Sequence, residues 1–207
     1  MQFNRIAMSV HSLSTIAPRR IPPSVDVRRL RRASRPVRRI IHNVVTGVTL
    51  EVHAVEPEAD LLRMRATYPP RSPEPPLHAH PRQRERFEVV TGELIVVVGR
   101  LRRVLRAGER LTIEPGAVHA VWNAGDEPAV LHWETSPALG TERLHARLAS
   151  LAAAGRTDAR GVPHFLARAS LAWRHRDELR LARPSWPVQR FVLPVLAAIA
   201  WLTGGRE

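Results

Sequence analysis

Histidine and glutamate side chains occur in one stretch of the sequence at spacings suited to metal binding. His78 and His80 are one residue apart, Glu85 follows shortly after, and His119 comes later, beyond a Pro-Gly pair. In an extended strand alternate side chains point the same way, so His78 and His80 would present two imidazoles to one cation. Imidazole and carboxylate ligands suit Fe, Mn, Ni, Cu or Zn without distinguishing them. We therefore predict one divalent transition metal ion, with a metal-free pocket as the alternative.

The residues after Glu85 alternate in polarity, which is typical of a half-buried strand. Glu85, Phe87 and Val89 share one face in this pattern. Two of the three are large and apolar, so this face is predicted to point into a core, where an unpaired carboxylate is costly. A cation held jointly by Glu85 and the histidines would remove that cost.

The stretch resembles the two sequence motifs of the cupin family. The first motif, His-x-His followed by Glu and Gly, is matched by His78, His80, Glu85 and Gly92. The second, Gly, Pro-x-Gly, His and Asn, is matched by Gly108, Gly116, His119 and Asn123. Glu114 replaces the first proline of Pro-x-Gly, and Ser72 stands where a glycine usually precedes His-x-His, but neither is a ligand position in the family.

The resemblance covers about residues 40 to 137 and implies a fold and a ligand set. The implied fold is a mainly β, cupin-type antiparallel β-barrel (a double-stranded β-helix or jelly roll) with the metal inside. The implied metal ligands are His78, His80, Glu85 and His119. The resemblance also implies a homodimer.

Short strands at regular spacing predict a β-barrel or sandwich independently of the motifs. The predicted strands are residues 40–45, 48–55, 61–68, 85–90, 93–98, 101–105, 111–113 and 129–134, with one more carrying His119. Residues 68–76 contain five prolines, which lack the backbone donor that a central strand needs, and are predicted to be a loop. Beyond Pro137 the pattern becomes helical, with helices predicted over 141–154, 162–181 and 185–203.

We therefore divide the chain into a basic N-terminal extension (1–39), a cupin barrel (40–137) and a helical C-terminal region (138–207). All 32 basic residues are arginine, and ten of them lie in residues 1–39 with one acid, so this segment carries +9 of the net +13. The extension is expected to be disordered, upstream sequence translated from a misplaced start, or a polyanion-binding segment. The barrel itself is not notably basic, so no specific nucleic-acid partner is predicted.

The composition and the C-terminal pattern limit the compartment and the partners. The chain has no cysteine, which excludes disulfides and thiolate ligands and favours a cytoplasmic protein. Residues 191–203 form an uncharged run of 13 residues, which is too short for the roughly 20 residues of a bilayer span. This run is predicted to pack on the barrel or across a dimer interface, with weak peripheral membrane contact as an alternative.

A metal bound by three histidines and a glutamate keeps open positions, which is typical of catalytic sites. The first hypothesis is a mononuclear oxygenase acting on a small, largely apolar or aromatic oxygenated molecule, with Glu85 as the catalytic base. The alternatives are an isomerase, cyclase or lyase on the same site, and a non-catalytic binding or sensing module. The predicted substrate-binding residues are Phe87, Val89, Val96, Val121 and His132. For His132 a hydrogen-bonded position on the surface or the rim is the favoured alternative.

Overall fold

The computed structural model describes residues 39–56 and 58–203, which form strands followed by helices. The strands are β1 (Arg39–His42), β2 (Thr49–Glu56), β3 (Leu61–Tyr68), β4 (His78–Ala79), β5 (Arg84–Thr91), β6 (Glu93–Val98), β7 (Leu101–Arg106), β8 (Arg110–Ile113), β9 (His119–Trp122), β10 (Ala129–Ser136) and β11 (Arg180–Leu181). The helices are α1 (Thr141–Ala153), α2 (Phe165–Arg174) and α3 (Trp186–Leu202). The predicted mainly β fold with C-terminal helices is confirmed.

The strands form two antiparallel sheets that enclose the core. One sheet has the order β1-β2-β3-β10-β5-β8 and the other β11-β4-β9-β6-β7. Buried side chains alternate along the strands, as with Leu62 and Met64 of β3 and Leu131 of β10 in the first sheet, and Leu94 and Val96 of β6 in the second. Burial of these inner faces is the main stabilising contribution, and the arrangement is the predicted double-stranded β-helix.

Strand pairing brings the two motifs together. β4 pairs with β9 so that His78 lies opposite His119, and β9 in turn pairs with β6. Glu85 lies on β5, in the other sheet, and its side chain is buried. The histidines and the glutamate therefore approach each other from opposite sheets.

Two further motif residues shape the backbone. Gly92 has a φ of +74°, and a Cβ there would lie 2.6 Å from the carbonyl oxygen of Pro128, so a side chain is excluded. Asn123 is fully buried, and its amide donates hydrogen bonds to the carbonyl oxygens of Pro69 (3.0 Å) and Glu127 (2.7 Å). Asn123 thus fastens the proline-rich segment, which is a loop as predicted, to the turn before β10.

The prediction of one helix over residues 162–181 is wrong. Helix α2 ends at Arg174, and the chain then forms β11, in which Arg180 pairs with Ala79 and Leu181 with His78 of β4. The free edge of β4 offers backbone hydrogen bonds to this segment, and a two-residue strand has no periodicity that a sequence pattern could reveal. The other two helices match their predicted ranges within one or two residues.

Helix α3 packs on α2 and leaves its other face exposed. Leu193 of α3 packs against Ala169 and Ala172 of α2, whereas Phe191 and Leu202 are 73% and 74% exposed. None of the described helices combines the length and apolarity needed to cross a bilayer. The basic extension, apart from Arg39, lies outside the described residues, and the division into three regions stays a prediction.

Candidate metal centre

Three imidazoles converge where β4 meets β9. The ring centroids of His78 and His119 are 4.5 Å apart, and the centroid of His80 lies 5.1 Å from each of the other two. One ligating nitrogen from each ring lies within 4.8 Å of the other two. The cluster can therefore bind a single metal ion.

Backbone carbonyls fix the tautomer of all three rings. His78 and His119 each direct Nδ1 at the carbonyl oxygen two residues earlier in the chain, at 2.9 Å. Nδ1 of His80 contacts the carbonyl oxygen of Glu178, in the C-terminal region. Because a carbonyl only accepts, each Nδ1 carries the proton, and each neutral ring has its lone pair on Nε2. Such partners are typical of metal-binding histidines.

The carboxylate of Glu85 lies beside two of the three imidazoles, whereas the group whose ligating atoms all lie within 4.8 Å of one another consists of the three histidines. Its Oε1 accepts a hydrogen bond from Nε1 of Trp133 (3.1 Å) and lies 3.4 Å from Nε2 of His80. Its Oε2 lies 3.0 Å from Nε2 of His119 and has no hydrogen-bond donor when that ring is neutral. Two buried lone pairs that face each other need a proton or a cation between them, so the donor set fits a metal ion.

Charge coupling inside the cluster favours the protonation states of a metal site. Burial raises the pKa of the Glu85 carboxyl, but the imidazoles of His80, His119 and His78 outweigh this and lower it to about 2. Burial and the other two rings lower the pKa of His78 to about 3. Burial also opposes protonation of His119, but the Glu85 carboxylate outweighs this and raises its pKa. A metal ion would therefore compete with one proton on His119.

The cluster lies in a cavity of about 250 Å³ with mostly apolar walls. The sheets contribute Leu50, Tyr68, Phe87, Val121 and Trp133. The C-terminal helices contribute Leu144, His145, Leu148, Leu171 and Ala172. The sequence predicted the helices but not their place in the cavity wall. The one sign in the sequence that a helix lines the cavity was on the inward face of α1, where His145 lies between Leu144 and Leu148.

The predicted substrate-binding residues occupy three different environments. Phe87 and Val121 line the cavity. Val89 and Val96 are buried in the core between the sheets and do not reach the cavity wall. His132 is exposed on the outer face of β10, so the expectation that it contacts substrate is wrong. The buried face of β10 carries Trp133 instead.

Two antiparallel sheets that enclose a His-x-His pair, a glutamate and a distant histidine define a β-barrel protein with a candidate metal site. Residues 64–134 match the family model described as the Cupin domain. The chain therefore carries a cupin domain, and the resemblance of its motifs is confirmed.

Solved structures are similar to part of this chain at low sequence identity. A cupin from Shewanella frigidimarina is 22% identical over 51% of this chain and 89% of its own, with a TM-score of 0.44. A double-stranded β-helix protein from Klebsiella pneumoniae is 22% identical over 52% and 81%, with a TM-score of 0.37. A cupin-2 domain from Rhodospirillum rubrum is 17% identical over 42% and 58%, with a TM-score of 0.39. The comparison with curated proteins gave no match.

His145 should make the stability of the fold depend on pH. Burial lowers the pKa of His145 to about 4, so on acidification the unfolded chain takes up this proton first, and stability present above about pH 6.5 is lost as the pH falls towards 4. His145→Leu should reduce the loss of unfolding free energy between about pH 7 and pH 5 by about 1–2 kcal/mol. Denaturant titrations of metal-free protein at both pH values measure this. The exposed His164→Leu is the control, and an unchanged pH dependence in His145→Leu would contradict the expectation.

Proposed function

We propose that this protein is a mononuclear metal-dependent oxygenase acting on a small, largely apolar or aromatic molecule that carries oxygen substituents. The convergence of three Nε2 lone pairs and an ionised carboxylate in an apolar cavity supports this proposal above all. A divalent transition metal bound there supplies Lewis acidity towards substrate oxygens and a redox centre for reaction with dioxygen.

The protein's own residues would have separate tasks in this reaction. His78, His80 and His119 hold the metal, since their Nδ1 atoms are already engaged by carbonyls. Glu85 acts as the base and takes the proton of a substrate hydroxyl onto Oε2, the oxygen without a hydrogen-bond donor. The low pKa of this carboxyl makes it a weak base, so it would accept a proton only from a hydroxyl that is acidified, as a phenol or an enol held at the metal would be.

The cavity walls would select the rest of the substrate. Phe87, Val121 and Trp133 present apolar and aromatic surface next to the cluster, and Phe87 and Trp133 contact each other at a centroid distance of 5.5 Å. Such walls exclude water and favour a planar, apolar body over a phosphorylated sugar.

Metal content tests the site. The protein purified without chelators or affinity metals should hold about one divalent transition metal ion per chain, measured by elemental analysis. Removing a side chain that binds the metal should weaken metal binding more than removing a group that only orients such a side chain. His80→Ala and His119→Ala should therefore each weaken metal binding by at least about 100-fold. His132→Ala, on the outer face of β10, is the matched control. Substoichiometric metal that is equal in all four proteins would refute the metal centre.

Oxygen dependence tests the reaction class. Metal-loaded protein is mixed with a panel of small phenols and enols, and oxygen consumption is followed with an electrode alongside product analysis. We expect substrate loss to require oxygen and Glu85→Gln to slow turnover by about 10²–10⁴-fold. Equal turnover without oxygen would replace the oxygenase with an isomerase, cyclase or lyase. Recovery of every compound unchanged, even with full metal loading, would favour a binding module.

We also propose that the exposed face of α3 pairs two copies of the chain. Val188, Val192, Val195, Ile199 and Leu202 follow one another at alternating intervals of four and three residues, and they are between 40% and 74% exposed. This alternation is the spacing of a seam between paired helices. Arg190 lies off the stripe, so pairing would not bring like charges together at the seam.

Analytical ultracentrifugation tests this pairing. The wild-type protein should sediment as a dimer, and Val195→Asp as a monomer, because the substitution buries a charge at the centre of the seam. Arg190→Gln, on the same helix but outside the stripe, should stay dimeric. A monomeric wild type would refute the pairing, and its co-flotation with anionic lipid vesicles would assign the face to a membrane surface instead.

A further inference from the structure

Arg160 and Arg168 are the two arginines among the residues that line the mostly apolar cavity. Arg160 lies in the loop between α1 and α2, and Arg168 lies in α2. Arg160 is exposed and Arg168 half-buried, whereas Glu85 and His119 are buried. The arginines therefore occupy the solvent side of the cavity and the metal cluster its interior.

These two arginines are not neutralised by ion pairs. In the part of the chain that the structure describes, neither guanidinium makes a hydrogen bond or a salt bridge. Other arginines do form such pairs, as Arg84 does with Glu114 at 2.9 Å. The N–H groups of the half-buried Arg168 have no hydrogen-bond acceptor among the described residues, so they are available to an anion that the protein does not itself supply.

Asp158 determines the net charge of the region around Arg160 and Arg168. Its carboxylate interacts electrostatically with both Arg160 and Arg168, but its Oδ1 accepts hydrogen bonds from the backbone N–H groups of Arg160 and Val162, at 2.9 Å each. Two guanidinium groups and one carboxylate leave a net charge of about +1. This charge matches a monoanion, and Asp158 would repel a dianion such as a phosphate monoester.

The loop that carries Arg160 is held in place. The carbonyl oxygen of Asp158 accepts the N–H of Gly161, and the N–H of Asp158 donates to the carbonyl oxygen of Val162, both at 2.9 Å. Gly161 has a φ of +76°, and a Cβ there would lie 2.5 Å from Cγ2 of Thr46, so the loop lies closely against the β1–β2 turn. The backbone from which the Arg160 side chain extends is therefore already ordered before an anion binds.

We propose that the ligand of this cavity is an amphiphilic carboxylate. Its apolar body lies between the sheets and the C-terminal helices, and its carboxylate binds Arg168 and Arg160. A planar guanidinium forms paired hydrogen bonds with a carboxylate, which gives orientation as well as affinity. This substrate class rests on the proposed function, because it places the reacting end of the molecule at the cluster of His78, His80, His119 and Glu85.

Binding of three matched probes tests the proposal. Hydrocinnamate, its neutral amide and phenethyl phosphate share an apolar body and differ in charge. Dissociation constants are measured by calorimetry with the full-length protein as purified, and again after chelator treatment, so that binding of the carboxylate to metal is not mistaken for binding to arginine. Hydrocinnamate should bind at least about 10-fold more tightly than either other probe, because a hydrogen-bonded ion pair is gained.

Variants connect this preference to the arginines. Arg168→Gln should lower the affinity for hydrocinnamate by about 10-fold or more and leave the affinity for the amide unchanged. Arg160→Gln should have a smaller effect in the same direction, since Arg160 is more exposed. Arg174→Gln, on the same helix but outside the cavity, is the control. Equal affinity for acid and amide, tighter binding of the phosphate, or no effect of Arg168→Gln would each overturn the proposal.

The outcome is separable from that of the proposed function. A carboxylate preference that depends on Arg168 in a protein without stoichiometric metal would uphold this inference and refute the oxygenase. Oxygen consumption with neutral phenols only, in a protein that shows no carboxylate preference, would do the reverse.

Discussion

The arrangement of the site depends on the contact between a buried carboxylate oxygen of Glu85 and the Nε2 lone pair of His119, 3.0 Å apart. Neither group has a donor to offer when the ring is neutral, so the contact is repulsive until a positive charge lies between them. The carbonyls that hold the Nδ1 atoms keep all three rings in this tautomer. The barrel thus holds two lone pairs in an arrangement that a positive charge between them stabilises. A proton or a metal ion can supply that charge.

The site is built from parts of the chain that are distant in sequence. The two sheets bring the histidines and Glu85 together, but the carbonyl that orients His80 belongs to Glu178, far beyond the matched domain. Helices α1 and α2 then form one wall of the cavity and place Arg168 at its solvent side. The cupin domain carries the three histidines, and the helices after it form part of the cavity wall.

The pattern of residue types predicted the ligand cluster and most strands, because alternation and motif spacing are local properties. The inward orientation of Glu85 followed from its neighbours Phe87 and Val89. His132 was misplaced although Leu131 and Trp133 already marked the opposite face of β10 as apolar. By contrast, the role of the Glu178 carbonyl and the pairing of β11 could not be predicted, since every residue has a carbonyl and a two-residue strand has no period.

Strand β11 has a consequence for how such proteins diversify. It hydrogen-bonds beside the strand that carries His78, a few residues after the carbonyl that orients His80. Exchange of the C-terminal region between homologues by recombination would therefore also change the surroundings of the histidine cluster. A new tail that enlarged the cavity but did not supply the Glu178 carbonyl would leave the His80 imidazole without its Nδ1 partner, so a change in the cavity wall and a change in the histidine cluster are linked.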